Sequence, residues 1–546
     1  MTDSLKSPFG RIFEESPLAL LLLPLMVGIA VAEMAEFPSE ITPYIMTAAG
    51  IILLAAVVVG WPKRRRALPR SVFKGLAVVL MLLVGFATDV MQREGNKTVW
   101  PEGMRQWRGV VIENQRSTAK TWRVSLIVEK DGSARKVMLS ILKTALVRPL
   151  QTGECVEFDA EIKKPYNYFA SNGQDSTYIF DYAKWLERQG YAGQGFAPRR
   201  VSIDSSSEGT RLMGMLPWWQ RVRIYALTLR SRLLQQYDKL GLAKTDAAVL
   251  AALTLGEKSG ISKETRQAFS VSGASHVLAL SGLHLSILVT FLLFLLYPLR
   301  ARRWGMWVIA LVCISLTWAF VLLTGCSVSI VRSALMLTLM LLLGMRGEGF
   351  ASLNNVVVAA FVILCVSPQS LIDVGFQMSF LAVFFIIYFL PYYHEGIGWR
   401  IPRWSNRIAD FLYVTLIAQL ATAPLAACVF GRFPLMFIAT NVMVIPCAYI
   451  LLIGAVLFFS LSWWSVGASA VGWLLGQVVG LLTGGVEKIA ALPLSSVAVQ
   501  LSPLTTLCIY PLIFTFFAWM RFRRHIYAFW SLLFLGLAVS FQLRGL

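Results

Sequence analysis

The fold class this sequence predicts is a polytopic α-helical membrane protein with a small extracytoplasmic β-barrel inserted after its third span. Three observations predict it. Apolar residues make up 56% of the 546-residue chain and the mean hydropathy is +0.64, far outside soluble-domain usage. Apolar runs long enough to cross hydrocarbon recur along most of the chain. Between the third and fourth of them lies a polar stretch whose apolar residues alternate with period two.

The spans fall near 17–35, 43–61 and 75–92, then near 277–298, 306–324, 327–345, 354–372 and 373–391. The rest lie near 409–430, 433–460, 466–483, 503–520 and 525–543. That is about 13 spans, with about 11 as the lower count because 345–375 is able to hide a re-entrant piece. Lys6, Arg11 and the apolar run ending at Ala30-Val31-Ala32 mimic a signal peptide. Pro17 to Ala35 is long enough to span and another span follows at once, so an uncleaved anchor is expected. Basic residues sit at alternate ends of the spans: Lys63 to Arg66, Arg300 to Arg303, Arg346, Arg400 to Arg407 and Arg521 to Arg524. Glu33, Glu36 and Glu40 sit opposite. Threading 13 spans from a cytoplasmic N-terminus puts every one of those basic turns in the cytoplasm and residues 93 to about 220 outside.

Within the polar stretch, Trp107 to Ile112, Trp122 to Val128, Val137 to Ile141 and Cys155 to Ile162 read as strands. A helix at Asp181–Arg188 and a fifth strand from Tyr191 follow. Val156, Phe158, Ala160 and Ile162 share one face, with Glu157, Asp159 and Glu161 on the other. Five short strands in about 100 residues fit an OB-type barrel, which is either a nucleic-acid platform or a structural cap. From Trp218 to Gln267, basic residues punctuate an apolar stripe through Val222, Tyr225, Leu229 and Leu233. Such helices are expected to lie on the membrane face, with lipid as the default partner of the basic side. The organisation expected is therefore 1–92 membrane segment, 93–215 OB-like domain, 216–270 amphipathic interfacial helices and 271–546 transmembrane channel domain.

The net charge of +20 is not by itself a nucleic-acid signal. Residues 93–211 hold 19 Lys/Arg against 14 Asp/Glu, and most of the remaining surplus sits in short loops, as the positive-inside bias requires. Of the seven cysteines only Cys155 is in the polar stretch, so no disulfide forms within it and no metal-ligand spacing appears.

Chemistry-bearing residues concentrate at 272–285, Ser-Gly-Ala-Ser-His-Val-Leu-Ala-Leu-Ser-Gly-Leu-His-Leu, where a polar run turns apolar. Ser275, His276, Ser281 and His284 there read either as close helix packing or as a polar lining, with Ser281 and His284 on one helix face. Arg332 near the start of its span snorkels, pairs with Asp373, or offers a guanidinium to phosphate beside Ser327 and Ser329. Gln377, Gln419 and Asn441 are uncharged polar residues inside later spans, each open to a plain helix–helix bond. Ser281 with His284 raises an intramembrane Ser/His hydrolase as an alternative, without an evident orienting carboxylate. A small-solute secondary transporter is the other alternative, without an evident inverted repeat. No metal-nuclease run and no Gly-x-x-x-x-Gly-Lys-Ser/Thr occurs, so neither a nuclease nor an ATPase, and no cofactor, is expected.

The stretch from Gly256-Glu-Lys-Ser-Gly through Ser-His-Val-Leu-Ala-Leu-Ser-Gly-Leu-His-Leu-Ser-Ile-Leu288 resembles the signature of the ComEC family. So do Leu323-Thr-Gly-Cys-Ser-Val-Ser-Ile-Val-Arg332-Ser, Asp373-Val-Gly-Phe-Gln-Met-Ser-Phe-Leu-Ala382, Gln419 to Pro424 and Asn441 to Pro446. The resemblance implies an inner-membrane channel that takes up transforming DNA, as a single strand, during natural competence. It implies an OB-like outer domain, fitted by Thr152-Gly-Glu and Phe180-Asp-Tyr; Gln174 to Phe180 replaces the family's usual Asn-Pro-Gly-Gly-Phe run. The implied partners are single-stranded DNA, a receptor or nuclease outside, and a cytoplasmic helicase or strand-binding protein as motor. Many relatives carry a C-terminal metallo-β-lactamase-like domain, and this chain is expected to be a form lacking it. The DNA path is expected to include Ser275, His276, Ser281, His284, Ser327, Ser329, Arg332, Asp373, Gln377, Gln419 and Asn441.

Overall fold

The computed structural model describes residues 16, 18–35, 43–45, 47, 50–51, 70–96, 98–117, 120–130, 132–145, 148, 150–167, 181–198, 201–203, 213–302, 304–344, 353–394 and 403–544. The expected span at 43–61 and the run 174–180 lie wholly or largely outside them. Eight described helices are long and apolar enough to cross a bilayer, and four shorter apolar ones accompany them.

The chain opens with α1 (Ala19–Ala35) and α2 (Arg70–Asn96), packed along their length. Their backbones meet at two glycines. A Cβ at Gly28 would run into the carbonyl of Leu82, and one at Gly85 into that of Leu25, the small-residue contact that lets membrane helices approach closely.

The barrel follows: β1 (Arg105–Ser117), β2 (Thr121–Lys130), β3 (Ser133–Leu142), β4 (Cys155–Lys163), α3 (Tyr182–Arg188), β5 (Gly193–Ala197) and the short β6 (Ser202–Ile203). Strands pair in the order β1-β2-β3-β5-β4, β4 closes back on β1, and β6 adds to β4. β3 and β5 pair in parallel, across the excursion through α3. This closed five-stranded barrel fits the OB type. Two register shifts in β1, between Val111 and Glu113 and between Asn114 and Arg116, bend that long strand so that it pairs with both β2 and β4. The alternation read in β4 is realised, since Val156, Phe158, Ala160 and Ile162 are all buried in the barrel core with Val124, Leu126, Val128 and Leu139. Each large side chain withdrawn from water there contributes roughly 1.5–3 kcal/mol.

The helical part comprises α4 (Trp218–Asp238), α5 (Lys244–Leu255), α6 (Lys263–Val271), α7 (Ser275–Leu278), α8 (Gly282–Leu295), α9 (Gly305–Leu323), α10 (Val328–Gly344) and α11 (Leu353–Val366). It continues through α12 (Val374–Tyr393), α13 (Arg403–Phe430), β7 (Arg432–Pro434), α14 (Phe437–Ser460), α15 (Ser465–Ala490), β8 (Ser496–Ala498), α16 (Pro503–Phe522) and α17 (His525–Arg544). Antiparallel β7 and β8 clip two turns together on the barrel side of the bundle.

Two expectations need correction. The segment 216–270 does not lie flat on a membrane face throughout. Its α4 and α5 form a helical hairpin with both outer ends toward the barrel, and Val249 through Leu255 are all buried. The tip enters the bundle: Leu240 and Leu242 pack where Gly472 and Gly476 of α15 leave room, and Tyr237 meets Phe458 and Phe459 near the end of α14. Gly472 lies about 27 Å from the barrel end of α15 by helical rise, so the hairpin reaches deep. Only one face of α4 fits the amphipathic reading. Second, the span expected at 277–298 is not one helix. It is broken at Ala279–Ser281 into α7 and α8, because Ser281 is extended and serves as the N-cap of α8.

Candidate functional site

Five helices close a circuit. The helix α8 packs on α10 and α14, α10 on α12, α12 on α13, and α13 returns to α14. Every member carries at least one of the polar residues singled out from the sequence. Four of the five begin at the barrel side: α9 and α10 meet there at Gly325, whose carbonyl accepts from Arg223 at 2.9 Å, and α8 and α14 start there around the 272–281 turn and β7. Only α13 ends at that face. The positive ends of four helix dipoles are therefore collected under the barrel, against one negative end.

At the head of α8, His284 is fully buried. Its Nδ1 accepts from the Ser281 backbone N–H at 3.2 Å and lies 3.1 Å from Ser281 Oγ. Acceptance from a backbone N–H assigns the imidazole proton to Nε2, and that nitrogen is buried without a partner. The pair works as a capping box. They do not share a helix face as the sequence suggested, because Ser281 precedes the helix. Gly282 leaves just enough room for Ser333 Oγ, which a Cβ would meet at 3.0 Å. One turn back, Ser275 and His276 are exposed, and His276 Nδ1 lies 3.1 Å from the Gly273 carbonyl. The preceding Ser272 is buried, and its carbonyl accepts from Thr440 Oγ1 of α14 at 2.8 Å.

In α10, Arg332 is 1% exposed. Its Nη2 donates to the Gly375 carbonyl at 2.7 Å, its Nη1 is 3.5 Å from Asp373 Oδ2, and its guanidinium lies over Phe376. Asp373 is the N-cap of α12, accepting from the Phe376 N–H at 2.9 Å. Of the readings left open for Arg332, the structure therefore displays the ion pair, which ties α10 to α12. Ser327 is exposed and Ser329 half-buried. Gln377 donates to the Leu371 carbonyl at 2.9 Å. Gln419 is half-buried in the second half of α13, and Asn441, at the head of α14, has a buried carbonyl oxygen with no partner. The structure thus brings together Ser281 with His284 and Arg332 with Asp373, while the others stand apart around the circuit. Among the described residues no group of His, Cys, Asp and Glu is placed to hold a metal.

A family model described as Competence protein matches residues 253–524, from the end of α5 to just past α16, and so takes in the whole helix circuit. Over 402 residues the chain is 28% identical to ComE operon protein 3 of Bacillus subtilis (strain 168), covering 72% of this chain and 47% of that protein. The chain belongs to the ComEC family of competence proteins. It is also 22% identical over 205 residues, 36% of its length and 27% of the relative's, to Uncharacterized protein YcaI of Escherichia coli (strain K12). The chain thus spans less than half the length of the curated relatives it matches. No solved structure matches. As a ComEC-family member with eight long apolar helices, it is a multi-pass membrane protein.

Within this ComEC-family chain, sequence reasoning missed the contacts that join barrel to bundle. Arg230, 5% exposed, pairs at 3.0 Å with Glu257 of the Gly-Glu-Lys-Ser-Gly turn, and Glu113 of β1 lies 3.9 Å from both Arg230 and Arg223. On the other flank Glu33 of α1 meets Arg188 of α3 at 2.5 Å and also pairs with Arg93 of α2. The seven-residue spacing of Arg223 and Arg230, two turns of one helix face, was the available signal.

Proposed function

We propose that this chain forms the inner-membrane conduit through which transforming DNA passes, as a single strand, into the cytoplasm. The observation that carries the reading is the five-helix circuit with four helix N-termini gathered beneath a barrel. A polyanion is drawn to such a mouth by the positive ends of the four helices. It is bound weakly at each phosphate, as passage requires. Ser275, His276, Ser327, Ser329, Gln377, Gln419 and Asn441 are the residues of the path. Ser281, His284, Arg332 and Asp373 hold the mouth in shape, the first two by capping α8 and the second two by bracing α10 to α12.

In this reading the barrel lies outside the inner membrane and receives the strand, and the N-terminus is cytoplasmic. The turns carrying Arg300, Arg302, Arg521, Arg523 and Arg524 are cytoplasmic too, on the face where a helicase or strand-binding partner would pull. A nuclease or receptor outside would supply the strand. The hydrolase alternative is disfavoured by His284 Nε2, which has no hydrogen-bond partner among the described residues, where a triad needs an orienting carboxylate.

The test is uptake of labelled DNA by competent cells whose own copy is replaced by variants with normal membrane levels. Gln377→Glu combined with Ser329→Asp should lower uptake at least about tenfold by repelling phosphate, while Gln377→Asn should not. Equal uptake by the acidic variant would reject the circuit as the path.

A further inference from the structure

Between the barrel wall and the first turns of α4 lies a cleft of about 340 Å³. Arg135 and Lys136 reach it from β3, Trp219, Gln220 and Arg223 from α4, and Gln189 from the turn after α3. Three cations line it and, among the described residues, no carboxylate does. The Lys136 ammonium stands 3.9 Å over Tyr191 and donates once, to the Gln189 carbonyl at 3.1 Å. Arg223 Nε and Gln220 Oε1 are buried without partners. Unspent donors of positive charge in a concave, half-buried place are what a phosphate group satisfies.

What lies below the cleft decides the source of that phosphate. The outward side of α4 exposes an apolar stripe, Trp218, Val222, Tyr225 and Leu229 at helical spacing after Met215, with the exposed Arg221 and Arg232 along its edge. Trp219, half exposed, stands at the border between that stripe and the cleft. Beside it α9, on which α4 packs, exposes Trp307, Leu311 and Leu316. A strand of nucleic acid leaving the cleft would run onto hydrocarbon-seeking surface, whereas acyl chains would be at home there. Tryptophans at the head of such a stripe mark the headgroup level of a bilayer.

We propose that this cleft binds the phosphate headgroup of an anionic phospholipid, whose chains lie along the exposed face of α4, so that a lipid seals the seam between barrel and membrane bundle. The site has a pH signature. Burial, with Arg223 adding to it and Glu113 opposing, brings the Lys136 ammonium down to about 8. Headgroup binding then weakens as the pH rises through that value, and Tyr191 and Gln189, the other groups against Lys136, carry no charge there.

The experiment uses the full chain purified in detergent, with native mass spectrometry counting retained lipid after exchange into phosphatidylglycerol or phosphatidylcholine. One phosphatidylglycerol should survive delipidation, preferred over phosphatidylcholine by about tenfold. It should fall about tenfold in occupancy in Lys136→Gln and return in Lys136→Arg, as loss of one charge-assisted contact requires. Equal retention of the two lipids, or full retention in Lys136→Gln, would overturn the proposal. So would displacement of the lipid by oligothymidylate together with loss of oligonucleotide binding in the same variant, which would make the cleft a nucleic-acid site. Inorganic phosphate, added at the same concentration, should compete only weakly because it lacks chains; strong competition would reassign the site to a free anion.

Discussion

The barrel and the helix circuit solve the problem of polar groups in opposite ways. Among the described residues the barrel core holds no ionised side chain. Its centre is Phe158, Leu126, Leu139 and Ile141, and its polar residues point outward by the pleat. The circuit instead keeps polar residues at the heads of its helices and satisfies most of them locally: Ser281 with His284, Asp373 with the Phe376 amide of α12, Arg332 with Asp373 and Gly375. The difference teaches where each region's strength lies. The barrel stands on burial, and the circuit mouth on a handful of placed hydrogen bonds between helices that packing alone would leave free to slide.

That contrast can be broken most forcibly in the barrel. Phe158→Ala should cost about 3–5 kcal/mol through lost transfer energy and a cavity, seen as early protease cleavage within 105–163 while the helical bundle persists. In the circuit, Arg332→Ala should cost less, about 2 kcal/mol, because Asp373, left unpaired, is a third exposed and water screens it. Thermal melting in detergent measures it, and a double-mutant cycle with Asp373→Asn should recover part of the loss. Ser281→Ala should remove roughly 1 kcal/mol of helix-capping stability. Comparable loss from His284→Ala, and additivity between the two well below their sum, would identify a shared cap. The smallest effect is in the cleft: with its lowered pKa, Lys136 opposes folding while protonated, and that penalty fades as pH rises from about 8 toward its usual range. Lipid-free protein should therefore gain stability on that climb, and lipid-loaded protein should not.

The barrel was legible in advance because its rule is simple. Alternation at Val156, Phe158, Ala160 and Ile162 admits one solution, and all the strands read from 107–162 appear with ends displaced by a few residues. The helices after Gly305 were legible as spans for a similar reason. What stayed hidden follows from uniform hydrophobicity. Helices apolar all round, such as α8 and α12, carry no periodic signal for which side meets which neighbour, so the circuit could not be read. The burial of α5 was hidden too. Arginines at 221–232 dominate the composition of 216–270, while the seven-residue buried run Val249–Leu255, which shares a core with Leu475, Val479 and Leu482 of α15 more than 200 positions away, has no local mark. Arg332 illustrates the limit for single residues: the sequence allowed an ion pair with Asp373, yet only the crossing of α10 with α12 selects it. Glu257 was noticed as part of a motif, but its partner Arg230 became visible only once α4 was laid beside the turn.

The most direct test of the central claim is photo-cross-linking from a single strand stalled in transit, with a photoreactive thymidine in the DNA and the chain digested to locate the adducts. The account predicts adducts on the heads of α8, α10, α12 and α14 and along α13, and none on the lipid-facing residues Leu311 and Trp473. Adducts confined to the barrel or to those outer faces, with none on the five circuit helices, would contradict it.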